Sequence, residues 1–88
     1  MSLIMNPEDL TKLMTVFRSQ SEAVTSLQST IQSSIDSTTW VSPAADQFRQ
    51  IWQNEFVPSL TRLREALIQA EAGVRNSRDK VVEANRAI

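Results

Sequence analysis

The chain has 88 residues, nine Lys and Arg against ten Asp and Glu for a net charge of −1, 41% hydrophobic residues, one Gly, three Pro, and no Cys, His or Tyr. That length makes one small domain, with little stability margin unless a partner adds buried surface. The missing Cys and His exclude a disulfide framework, a thiol nucleophile, an imidazole base and a soft-metal site, and the balanced charge gives no electrostatic case for a nucleic-acid or polybasic membrane binder.

The chain opens on a short apolar lead-in, Met1 to Met5, with no basic segment before an apolar one and no run of about 18 apolar residues. Neither a cleaved signal nor a membrane span is expected. Asn6-Pro7-Glu8-Asp9 has the form of a helix start: a capping side chain, a proline suited to the first helical position, and two acids at the positive end of the dipole. No Gly or Pro follows until past Ile35, and Leu10, Leu13, Met14, Phe17, Val24, Leu27, Ile31 and Ile35 recur at threes and fours, which predicts a first helix over about 7–36. The stripe thins at Gln20 and Ser21.

Asp36 to Val41 then supplies short hydrogen-bonding side chains that compete with helix, and Ser42-Pro43 restarts one with a cap and an N1 proline. The joint is expected over 37–42 and a second helix over about 43–85. Its seam reads Ala45, Phe48, Trp52, Phe56, Leu60, Leu63, Leu67, Ala70, Val74, Val81, Ala84 and Ile88, in steps close to those of a coiled coil. Phe48 and Trp52 are in period with their neighbours and read as core. Pro58 removes a backbone donor inside this helix, so a kink is expected near 54–57, and Gly73 costs about 1 kcal/mol relative to alanine.

At about 1.5 Å per residue the helices would be about 45 and 60 Å long, so an antiparallel hairpin would leave the last two or three turns of the second uncovered. Val16, Ala23, Val57, Ile68 and Val82 lie off the main seams, as a second apolar set suited to an intermolecular face. The fold expected is all-α: one hairpin domain spanning 1–88 that assembles as a dimeric four-helix bundle.

No constellation for catalysis is visible. Carboxylates and lysines lie on regular polar faces, hydroxyls lack an imidazole partner, and a single Gly cannot make a phosphate loop. The chain reads as non-enzymatic, with no cofactor, metal, nucleic acid or small-molecule substrate. Arg64, Arg75 and Arg86, with Arg78 beside them, form a stripe that could dock an acidic surface; Glu71–Arg75 and Glu83–Arg86 pairs make it read better as a solvated face. Trp40 is different. It stands in the joint among Ser and Thr, where a large aromatic either caps the helix ends or is presented to a partner.

Two long helices, Trp40-Val41-Ser42 at the joint, Ala44, Ala45, Phe48 and Trp52 opening the second helix, and Leu60, Leu63 and Leu67 after it resemble, over essentially the whole chain, the WXG family. These are the small substrates and partners of type VII (ESX) secretion systems, related to the early secreted antigenic target of mycobacteria. Two features depart from the family pattern. Ser42 stands where the family has glycine, and the family's C-terminal tyrosine followed four residues later by an acid is missing, since the chain ends Ala84-Asn85-Arg86-Ala87-Ile88.

The resemblance implies a hairpin that dimerises, is exported folded without a cleaved signal after passing through the cytoplasm, and is recognised by the membrane ATPase of the system. Trp40, Val41 and Ser42 would complete an export signal with a partner's tail. Leu10, Phe17, Val24, Leu27, Ile31, Phe48, Trp52, Leu60, Leu63 and Leu67 would form the hairpin or dimer interface. The absent tyrosine favours a heterodimer with a tail-bearing WXG partner, then a homodimer. A cytosolic helical adaptor or export chaperone is the alternative.

Overall fold

The structure, a computed structural model, describes residues 5–86. Most of the lead-in and Ile88 of the predicted seam lie outside them. The chain is an antiparallel helical hairpin: α1 (Pro7–Ser37), α2 (Pro43–Ile51), a π-helical turn (Trp52–Phe56) and α3 (Val57–Arg86). The last three run on as one helix. Its Cα trace measures 68 × 21 × 15 Å, a single layer two helices wide.

Both helix starts follow from their caps. The Asn6 side chain accepts from the Glu8 and Asp9 backbone N–H at 2.9 and 3.3 Å, and Ser42 accepts from Ala45 at 3.1 Å, each followed by proline at the first helical position. Ser42 has φ −170° and ψ 163°, an extended backbone open to any residue, so serine fills this place without strain. The bend is short: α1 ends one residue later than predicted, at Ser37, and Thr38 to Ser42 reverse the chain.

The kink expected before Pro58 takes the form of the π turn. The Val57 N–H reaches back five residues to the Trp52 carbonyl, which widens the turn just ahead of the ring. Proline has no N–H to donate and its ring crowds the carbonyl four residues back, so the extra residue relieves the clash without ending the helix.

Two contacts fix the register of α1 on α3. Arg18 donates to Glu71, and Arg78 donates to Thr11 at 3.3 Å. Pro7 therefore lies about level with Val82. The uncovered tail of α3 is about one turn among the described residues rather than two or three, and Val74, Val81 and Val82 are half-buried. Among the described residues Met14, Ala45 and Trp52 are the buried apolar ones, and Ser21 and Glu71 are the buried polar ones.

Candidate interaction site at the hairpin bend

The bend gathers aromatic and aliphatic side chains that neither helix end could bring together alone. Trp40 leaves the bend and packs its ring 6.1 Å from that of Phe48, tilted by 40°. Its backbone carbonyl accepts from Arg49 Nη2 at 2.8 Å, and Arg49 is held in turn by Asp46 at 3.7 Å. Trp40 and Phe48, with Ile31 and Ile35 of α1 and the Arg49 guanidinium, line an open cleft of about 220 Å³. Trp40 remains 43% exposed, and Val41 beside it is 93% exposed. A tryptophan so placed is fixed at its backbone yet offers its ring to solvent, as an aromatic anchor requires.

Trp52, one turn beyond Phe48, has the opposite environment. It is 5% exposed, its Nε1–H donates to the Gln32 side-chain oxygen at 2.7 Å, and Gln53 donates to the same oxygen at 3.2 Å. Its ring meets Phe56 at 6.2 Å. This indole pins the π turn to α1.

The remaining expected interface residues divide in two. Leu10, Phe17, Val24, Ile31, Leu60 and Leu67 are half-buried along the hairpin seam. Leu27 and Leu63 are 48% and 49% exposed, and Phe48, read as core from its period, lies at the surface. A two-helix layer covers each helix over a narrow arc, so positions at the edge of a wide apolar stripe stay outside it. Among the off-seam set, Val16 and Ile68 are exposed, whereas Val57 and Val82 are half-buried.

Charges follow a similar division. Glu71 is buried and accepts from Arg18 at 2.6 Å and from Arg75 at 2.7 Å. The hydrogen bond and charge of Glu71 raise the Arg18 pKa. Arg78 pairs with Asp79 at 3.1 Å. The expected Glu71–Arg75 pair is thus present, no ion pair joins Glu83 to Arg86 among the described residues, and Arg75 and Arg78 are engaged within the chain. Among the described residues no three His, Cys, Asp or Glu side chains gather in a metal-holding group, and no helix is long and apolar enough to cross a membrane.

Sequence reasoning missed Arg49, Gln32 and the Arg18–Glu71 bridge. Arg18 and Glu71 lie 53 residues apart, beyond any local spacing rule. Arg49 follows Asp46 at i, i+3, which signals that pair but not the Trp40 carbonyl. No family model, curated protein or solved structure matches the chain.

Proposed function

We propose that this chain is a non-enzymatic WXG-type helical-hairpin protein of a type VII secretion system, working as a dimer that is exported folded, with Trp40 as a recognition element. The observation that supports this most is the placement of Trp40: half-exposed at the bend, anchored through its carbonyl by Arg49 and through its ring by Phe48. An indole whose only task was to cap the helix ends would be expected to bury its ring, as Trp52 does. The tail-bearing partner and the membrane ATPase implied by the resemblance are the binding partners in this reading.

The experiment is secretion from a cell with an active type VII system, comparing the chain with its Trp40→Ala variant in cytosol and medium. The expected result is export of the first and retention of the second, with equal helix content for both proteins. Export of Trp40→Ala at the parental level removes the recognition role. A parental chain found only in the cytosol favours the adaptor or export-chaperone reading.

A further inference from the structure

Polar contacts between α1 and α3 recur along one broad side of the hairpin, two helical turns apart. Arg78 donates to Thr11 at 3.3 Å, and Arg18 donates to Glu71 at 2.6 Å. The same register places Thr25 level with Arg64, two turns further toward the bend. Among the described residues no hydrogen bond joins that third pair.

Arg64 differs in this from the other half-buried arginines. Arg49 is paired with Asp46, Arg75 with Glu71 and Arg78 with Asp79, whereas Arg64 has no ion pair and no hydrogen bond among the described residues. Glu65 follows it about 100° around the helix, and exposed Glu22 lies a turn before Thr25 on α1; neither pairs with it. A guanidinium that has lost part of its water gains most from an anion, so an arginine at this depth without a carboxylate is suited to a ligand.

The surroundings fit that role. Arg64 lines an open cleft of about 380 Å³ between the helices, together with Thr25, Gln28, Ser29, Gln32 and Thr61. The Thr25 and Thr61 hydroxyls donate to the Ser21 and Val57 carbonyls at 3.4 and 3.0 Å, and Gln32 is engaged by Trp52, Gln53 and Asp36. The Gln28 amide and the Ser29 hydroxyl have no partner among the described residues. The cleft thus offers the Arg64 fork from α3 and two neutral donors from α1, with no carboxylate in its lining. A carboxylate has two oxygens, which the fork satisfies alone; a phosphate has further oxygens for Gln28 and Ser29.

We infer that this cleft binds the phosphate group of a small soluble molecule, Arg64 taking two of its oxygens and Gln28 and Ser29 the others. It uses none of the residues on which the export reading rests.

The test is a titration of the purified, isotope-labelled full chain, followed by NMR at the Arg64 Nε–H and the Gln28 side-chain amide at low ionic strength. Inorganic phosphate is expected to shift both signals saturably, with half-saturation on the order of 1 mM. Glycerol phosphate is expected to act at least as strongly, acetate several-fold more weakly, and phosphatidylcholine vesicles containing phosphatidic acid no more strongly than the free anion. Arg64→Gln is expected to abolish the response with helix content unchanged by circular dichroism, and Arg62→Gln, which removes an exposed charge outside the cleft, to preserve it. Thr25→Glu sets a carboxylate level with Arg64, as Glu71 is level with Arg18, and is expected to abolish the response as well. That second variant tests the site even where Arg64→Gln weakens the hairpin.

The absence of a saturable response, or one that persists in Arg64→Gln or Thr25→Glu, overturns the site. A loss in Arg62→Gln as large as that in Arg64→Gln also overturns it, because net charge alone would then explain the shifts. An equal response to acetate overturns the phosphate assignment, and a response to the vesicles alone overturns the soluble ligand. None of these outcomes bears on the export of Trp40→Ala.

Discussion

Two tryptophans twelve positions apart divide the work of this chain. The Trp52 indole is buried and hydrogen-bonded to Gln32, so it is a structural residue; Trp40 is half-exposed and held at its backbone. Trp52→Phe keeps most of the apolar contact but loses one part-buried hydrogen bond, and should cost about 1 kcal/mol in chemical denaturation. Glu71 is the other structural residue at this scale. Glu71→Gln removes the charge that Arg18 and Arg75 share and should lower the melting temperature by a few degrees, more than Asp46→Asn does at the exposed Arg49 pair. The sign with pH follows from the raised Arg18 pKa. Stability from a raised pKa is fully present below the unfolded value and lost only as pH climbs through the folded one, above the ordinary arginine range. Arg18 therefore contributes no slope to melting temperature near neutral pH, which a pH series of melts checks. Trp52 was legible from its period among Phe48 and Phe56, whereas the Glu71 bridge was not, because its partner lies on the other helix.

Among the elements, the helix starts follow directly from local chemistry. Asn6-Pro7 and Ser42-Pro43 cap as their residue types require. Since Ser42 sits in extended backbone and serves through its hydroxyl, Ser42→Ala should cost about 1 kcal/mol and Ser42→Gly only a few tenths, measured by denaturant titration. Equal losses for the two variants would show that backbone conformation rather than the cap governs this joint. Pro58 is a subtler case. Its missing N–H announces a defect, but the choice between a bent helix and a widened turn depends on what each rotation does to the faces beyond it. The π turn keeps Trp52 on α1 and the Leu60, Leu67 and Glu71 seam on the same helix.

The whole molecule is long and thin. Its radius of gyration is 19.8 Å, against about 12 Å for a compact domain of this length. Among the described residues no large side chain is completely enclosed, and Leu13, Val16, Leu27, Phe56 and Leu63 remain at the surface. A hairpin with so little enclosed interior is expected to draw stability from association. The melting temperature should accordingly rise with protein concentration. A melting temperature independent of concentration would mean that the single hairpin carries its own stability.

Caps, prolines and three-four periodicity are local properties, so the sequence by itself determined that the chain is two long helices joined near Trp40, with Trp52 inward. It also determined that no imidazole or thiol chemistry is available. Only the tertiary structure decided which half of each wide apolar stripe is covered. Periodicity assigns Leu63 and Leu67 to one stripe, but a partner helix covers only a narrow arc of it, and the side left open depends on the angle at which α3 meets α1. That angle rests on the π turn, on the five-residue bend, and on the Arg18–Glu71 and Thr11–Arg78 contacts, and the two contacts join residues too distant in sequence for a local pattern to relate.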